Sequence, residues 1–518
     1  MALLLRFQID NKTNKMNTLI NIMKKLFFLA LLTFAMLPLT LGASCSKPDN
    51  PDNGKKPDEP QEPVPGLNIS GAAYDWTVTN KPERPYMLSY HDKMLMKFFM
   101  ASKNVGGGTS VRMTFADALE NIKAIDNITR GMEKIVYLVG WQYDGHDSKY
   151  PAMAEVNPSL KRPEDATARD SFLWLQKEAR KYNTYVSIHT NINDAYEDSP
   201  VYFSYLRNDL LVRNADGSLW STQDNIHKVV LSKEWRKGWL QKRIDDVTSL
   251  LNLTESKTVH LDVFLPEASP YHGISREEEL EVLRKVVRYW HDKGVDITVE
   301  TWHNLGQRTD PMFGLIPAVW WNDMSKNELA TISPSMATGG RIFPGWDYYD
   351  TYPGPPQIQD MCFLFGENMH GEDIVFKETD FDKFQYRFCV GTLPWAYFNT
   401  HKVLNYDQQN DVVTYSDNLV VDAKARTVTK NGVLMRKDND MLFPAVWVKD
   451  NLELIAYSEN GYSDFTWTLP SEWKDVKAVK ARRVKEYGLS DNETIEVVNG
   501  TITLTVNPKT MLSIVPSE

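Results

Sequence analysis

Three cysteines in 518 residues are too few for a disulfide framework. The fold must instead rest on buried apolar surface, and 42% hydrophobic against 24% charged residues is an ordinary globular supply of it. Several chemistries are missing at the level of short motifs. No Gly-x-Ser-x-Gly segment occurs, which excludes the nucleophile elbow of the serine hydrolases. There is no His-x-His pair: His189-Thr190-Asn191 offers one ligand, and His260 has no second histidine beside it, so no catalytic metal is predicted. A structural calcium ion stays open, and no other cofactor is expected. Gly106-Gly107-Gly108 lacks the helix-opening pattern of a nucleotide loop and reads as a turn. Positive charge is scarce as well. The net charge is −10, and because residues 1–44 contribute +4 the remainder stands at −14, which argues against nucleic acid and other polyanions as partners. No internal repeat is visible, and after the first long apolar run there is no second one to span a membrane.

What is present is a pair of strand-ending carboxylates. Thr258–Phe264 and Asp296–Trp302 are β-like runs, and each carries one acidic residue, Asp262 and Glu300, where apolar sequence gives way to loop. Between them Ser275 and Glu278 form a capping-box pattern, Glu277 and Glu279 add negative charge to the first turn, and Gly294 marks the end. Leu280, Leu283, Val286, Val287 and Trp290 recur at helical spacing, giving one face to lay on a sheet. A right-handed β-α-β crossover brings both acids to the same rim of a parallel sheet. Adjacent strands lie about 4.8 Å apart, so the carboxyls are predicted about 5 Å apart, the spacing of nucleophile and acid/base in retaining glycosidases.

The rhythm of the chain divides it. Residues 1–44 hold a basic start near Met23, the natural initiator, then an apolar core and small residues before Cys45, and so resemble a bacterial lipoprotein signal with Cys45 as the lipid-bearing residue. Residues 45–66 are Pro-, Asp-, Glu- and Lys-rich and read as a tether, so membrane contact is expected only through the lipid, on a monomeric cell-surface protein. From 67 to 400 strands and helices alternate, among them Ile135–Gln142, Ala166–Tyr182, Thr184–Ile192, a Ser232-capped helix through Leu251, Ala318–Asn322 and Arg341–Trp346. This predicts an α/β fold, a (β/α)8 TIM-type barrel with its site at the strand C-termini. Residues 401–518 carry short β-rich runs broken by Asn-Gly turns and predict a C-terminal all-β sandwich. Cys362 and Cys389 are left either to pair or to remain thiols.

The strand ends are polar and aromatic, as a site for a polyhydroxylated ligand requires, and 15 Trp and 23 Tyr supply faces for sugar rings. Trp141, His146, Asp147, His189, Asn191, Trp302 and His303 are the candidate substrate-binding residues. The run Ile135–Gln142 followed by Asp144-Gly145-His146-Asp147-Ser148, then a His-x-Asn strand end, an Asp strand and a Glu strand, resembles the endo-α-N-acetylgalactosaminidases of glycoside hydrolase family 101. The resemblance covers roughly residues 70–400. It implies a retaining enzyme that releases Galβ1-3GalNAc from Ser or Thr of mucin-type glycoproteins. It further implies Asp262 as nucleophile, Glu300 as acid/base, and sugar contacts from His146 and Asp147. Exo-acting α-N-acetylgalactosaminidases or α-galactosidases on the same barrel, and a catalytically dead surface glycan-binding protein, are the alternatives.

Overall fold

The computed structural model describes residues 86–223, 225–301, 316–321, 325–331, 356–371 and 381–517. The expected signal and tether with Cys45, the candidates Trp302 and His303, and the expected strand Arg341–Trp346 lie outside these residues.

Seven parallel strands form the first sheet: β1 (Met94–Phe99), β2 (Lys134–Val139), β3 (Thr184–Asn191), β4 (Thr258–Asp262), β5 (Asp296–Thr301), β6 (Val319–Trp321) and β7 (Met369–His370), in the order β6-β5-β4-β3-β2-β1-β7. Trp320 from one edge and Met369 from the other share a buried cluster with Leu95, Ile135 and Tyr137, so the sheet has rolled into a nearly closed barrel. The strands are buried on both faces, which removes the usual apolar-in, polar-out alternation and inverts it. Met94, Met96 and Phe98 of β1, Val136 and Leu138 of β2, Val259 and Leu261 of β4, and Ile297 and Val299 of β5 belong to the main apolar core beneath the surrounding helices. The alternate positions, Lys97, Tyr137, Ser187, His189, Thr258, His260, Asp262, Thr298 and Glu300, are mostly polar and buried on the other side, lining the barrel.

The helices that cover the barrel start where their sequences say they should. Thr114 caps α1 (Phe115–Ile128) and Thr167 caps α2 (Ala168–Ala179), each in a capping box with the aspartate at N3. The expected single helix through Leu251 is two helices, α3 (Leu231–Arg236) and α4 (Trp239–Leu250), because Gly238 adopts φ 74° between them and ends the first. Ser232 is not its cap; it lies inside α3. The backbone N–H groups of Leu231 and Ser232 donate instead to the Glu279 carboxylate of α5 (Arg276–Asp292), at 2.9 and 3.0 Å. In α5 itself the Ser275 hydroxyl accepts from the Glu278 N–H at 3.1 Å, but the Glu278 carboxylate turns to Arg236 at 3.0 Å, so half of the expected capping box forms.

Beyond the barrel, ten antiparallel strands from Val403–Asp407 to Thr510–Pro516 make one sheet, and a separate antiparallel pair, Tyr462–Thr468 and Thr501–Val506, lies over it. One face of the sheet, with Val413, Met441, Phe443, Ile455 and Tyr457, joins the barrel's apolar core. The other, with Leu442, Leu454, Ala456 and Ile514, packs against Trp467, Ile502 and Leu504 of the separate pair. The sandwich therefore has one broad layer and one narrow layer. Ala445–Val448 is a turn closed by Val448 N–H on the Ala445 carbonyl at 2.9 Å. Cys362 and Cys389 are both free thiols.

Candidate active site

The site is built at the C-terminal ends of β1 to β5. Register decides what meets there: His189 pairs with His260 and Asn191 with Asp262 across β3 and β4, while His260 pairs with Thr298 and Leu261 with Val299 across β4 and β5. One residue further on, Asp262 and Glu300 stand on neighbouring strand ends. Both residues are buried. Burial comes first, and the neighbouring Glu300 charge second, in holding the Asp262 carboxyl well above the usual carboxylate range, with Asp147 adding to the rise and Lys97 opposing it. Like charges brought together in this way oppose the ionisation of Asp262.

The backbone around the pair is tight. Val263 follows Asp262 with φ 45°, a conformation that a β-branched residue adopts at a cost of roughly 1–3 kcal/mol. That turn aims its N–H at Glu300 Oε2, 3.4 Å away. The loop carrying His146 and Asp147 is fixed from below by two close approaches. A Cβ at Gly140 would lie 2.0 Å from the Ala101 carbonyl oxygen, and one at Gly145 would lie 2.7 Å from it. The His146 N–H donates to that same oxygen at 2.8 Å. His146 Nε2 then lies 3.5 Å from Asp147 Oδ2, and its ring sits 5.6 Å from that of His189. His146 and Asp147 line a cavity of about 660 Å³ together with Lys103, Tyr196, Asp198 and Asn225, within the range of small-ligand pockets.

Three candidates have other employment in the structure. Trp141 is wholly buried with its indole N–H on the His189 carbonyl at 3.1 Å, so it fixes the end of β3 and presents no face to a ligand. Asn191 accepts from the N–H groups of Asn193 and Asp194 at 2.8 and 3.0 Å and donates to Asp194 Oδ2 at 2.8 Å, which makes it a turn residue. His189 lies beneath Asp262, Nε2 to Oδ1 3.8 Å, stacked on His260 with ring centroids 5.1 Å apart. The reading that His260 has no second histidine beside it is thus overturned: the neighbour comes from the adjacent strand, which spacing along one strand cannot show. Burial, then the nearby Lys97 charge, keep both imidazoles neutral.

His189, His260 and Glu300 bring ligand atoms within 4.8 Å of one another, the one such grouping among the described residues. A cation already stands there: Lys97 Nζ is 3.4 Å from Glu300 Oε1 and 4.6 Å from the centre of the Trp320 ring. Its charge opposes a metal ion at the same place. Lys97 was not singled out by the sequence reading, although a lysine in the middle of Met-Leu-Met-Lys-Phe-Phe is a signal, since a charge in a strand buried on both faces needs a partner.

Residues 96–308, which contain β2 to β5, most of β1 and every charged group just described, match the family described as endo-alpha-N-acetylgalactosaminidase. This stretch is similar to the glycoside hydrolase domain of that family. Among solved structures, the chain is similar to the ligand-free alpha-N-acetylgalactosaminidase NagBb from Bifidobacterium bifidum, with a TM-score of 0.47 and 12% identity over 66% of this chain and 59% of that one. It is also similar to the maltogenic alpha-amylase AmyB from Thermotoga neapolitana (TM-score 0.41, 10% identity, 83% of this chain and 100% of that one). The alpha-galactosidase AgaA from Geobacillus stearothermophilus matches with a TM-score of 0.40 and 12% identity over 82% of this chain and 55% of that one. The chain thus spans about 59% of the length of NagBb.

Proposed function

We propose that the protein is a retaining α-glycosidase that cleaves the bond between GalNAc and Ser or Thr in mucin-type O-glycans, releasing Galβ1-3GalNAc. The observation that carries the reading is the placement of Asp262 and Glu300, both buried, on the adjacent ends of two paired parallel strands. An inverting enzyme holds its carboxyls roughly 6.5–9.5 Å apart to admit a water molecule, whereas a retaining one needs them close. Asp262 attacks the anomeric carbon while Glu300 gives its proton to the departing Ser or Thr oxygen. Glu300, now a carboxylate, takes a proton from water, and that water's oxygen replaces Asp262 at the anomeric carbon. His146 and Asp147, on a loop locked to the strand beside them, would hold sugar hydroxyls at the cavity wall. The endo reading is supported by the family match, and the surface location by the lipoprotein-like pattern ending at Cys45.

Product analysis tests it. Galβ1-3GalNAc-α-p-nitrophenol and GalNAc-α-p-nitrophenol are offered side by side, and the products are separated by thin-layer chromatography and followed by NMR at early times. Release of intact α-disaccharide is expected. Cleavage of the monosaccharide substrate alone would favour exo action, a β-anomer as first product would overturn retention, and binding without turnover would leave a glycan-binding protein.

A further inference from the structure

Three charged groups of the barrel lining share one small volume: Asp262, Glu300 and Lys97. The first two have roles in the proposed reaction, and the third has none so far. Lys97 has no solvent-exposed surface. It sits in the middle of β1, on the inward face, and its ammonium reaches across the barrel to Glu300 at 3.4 Å with the Trp320 ring 4.6 Å away. From the other strands it is faced by His189 of β3, His260 of β4 and its register partner Tyr137 of β2. Both histidines are uncharged and Tyr137 is a buried phenol donating to or accepting from Thr258 at 2.8 Å. Among the described residues Lys97 is therefore the cation of this cluster, and it pairs with Glu300 of the two carboxyls.

We propose that Lys97 is the positioning residue that carries Glu300 between its acid and base forms, by receiving the negative charge that appears on Glu300 when its proton passes to the leaving oxygen. The proposal rests on the reading of Asp262 and Glu300 as the catalytic pair. Its logic is differential: the ammonium interacts weakly with a protonated Glu300 and strongly with the carboxylate, so the attraction grows along the first step. The proton moves from Glu300 to the glycosidic oxygen, Lys97 keeps all of its own, and the charge sum of the cluster rises in magnitude nowhere else. The interaction also works against Glu300 in the second step, because a stabilised carboxylate is a weaker base toward water. Poor leaving groups, such as an alkyl alcohol of Ser or Thr, gain most from it. Aryl leaving groups, which depart with little protonation, gain least.

The sign of the pH effect follows. A cation within about 4–6 Å favours carboxylate forms and lowers carboxyl pKa values by 1–3 units. Removing it should move both limbs of the bell-shaped pH profile of kcat/KM toward higher pH by about one unit. Lys97→Gln should show that shift together with a loss of about ten-fold or more on a glycopeptide and a clearly smaller loss on the aryl glycoside, while Lys97→Arg, which keeps the charge, should leave the limbs in place. Melting temperatures accompany each profile. Should Lys97→Gln fail to fold, the double variant Lys97→Gln/Glu300→Gln decides, since removing both partners of a buried pair leaves no uncompensated charge and should fold where the single variant does not. Unmoved limbs with equal losses on both substrates, or a double variant no more stable than the single one, would overturn the proposal. Asp262→Asn is run in parallel: full activity there would overturn the carboxyl pair and the Lys97 role with it, whereas an inactive Asp262→Asn beside unmoved limbs in Lys97→Gln would overturn the Lys97 role alone.

Discussion

The barrel strand Thr258–Asp262 and the C-terminal strand Thr501–Val506 are both five or six residues long, and they hide opposite things. In the first, every position is buried, with Val259 and Leu261 toward the helices and Thr258, His260 and Asp262 toward the barrel interior. In the second, Ile502, Leu504 and Val506 are buried while Thr503 and Thr505 face solvent. A polar side chain in the second strand needs only water. In the first it needs a partner, because an unpaired buried charge costs far more than a surface one. Glu300 accordingly has the Lys97 ammonium 3.4 Å away inside the barrel, whereas Thr503 and Thr505 are exposed to water.

The sharpest way to break this comparison is to remove charge from the barrel without changing shape. Asp262→Asn should reduce turnover by about a thousand-fold or more, and Glu300→Gln by about 10²–10⁴ on glycopeptides, the range of a general acid, while sparing activated aryl glycosides. Asp262→Asn should not lower the melting temperature appreciably, since it removes one of two mutually repelling carboxyls, whereas Glu300→Gln should lower it because it removes the carboxylate 3.4 Å from the buried Lys97 ammonium. Equal losses of Glu300→Gln on both substrate types, measured as kcat/KM, would take the acid role from Glu300. The converse holds in the C-terminal sheet. Leu504→Ala should cost about 2–5 kcal/mol in chemical denaturation, as large-to-small changes in packed cores do, and leave kcat unaltered at temperatures where the protein is folded.

The same contrast explains what could be seen in the sequence. Alternating strands and helices speak locally, so the barrel was readable and the helix expected over Ala166–Tyr182 is present as α2, although the caps Thr114 and Thr167 were not singled out. The two acids were readable because each ends its strand. Lys97 and the His189–His260 stack were not, because their partners come from other strands and only register brings them together. Trp141 and Asn191 misled for a related reason: a polar or aromatic residue near a strand end is equally useful for fixing that end, and their hydrogen bonds go to the backbone and to the adjacent turn.

Glu279 is a buried acid of the barrel's outer layer and tests the rule away from the site. Burial raises its carboxyl from the usual 4.5 to about 7, against the pull of the two α3 N–H groups that it caps. A raised folded-state pKa means that the folded protein holds this proton while the unfolded chain has already lost it. Its contribution is thus fully present below about pH 4.5 and is lost as pH rises toward 7. The swing is at most about 3 kcal/mol, at 1.36 kcal/mol per unit. Wild-type stability relative to Glu279→Gln should fall across that window in urea titrations at a series of pH values. A difference that stays flat would mean that Glu279 is ionised throughout and acts as a plain helix cap.

The smallest effect is expected at Asp147, where the rule is weakest because the side chain is about half exposed, 49%, at the cavity wall. Gly140 and Gly145 lock its loop against Ala101, so truncating the side chain should leave the loop in place. A polar group that pairs with a substrate hydroxyl is worth about 1–3 kcal/mol when removed. Asp147→Ala should therefore lower kcat/KM on the disaccharide substrate by about ten- to a hundred-fold, at 1.4 kcal/mol per factor of ten, and change any activity on the GalNAc monosaccharide less. His146 stays in either case, held by its N–H on the Ala101 carbonyl. A lowered melting temperature with equal losses on both substrates would make Asp147 a structural member of its turn, and the preference for the disaccharide would then have to come from another wall of the cavity.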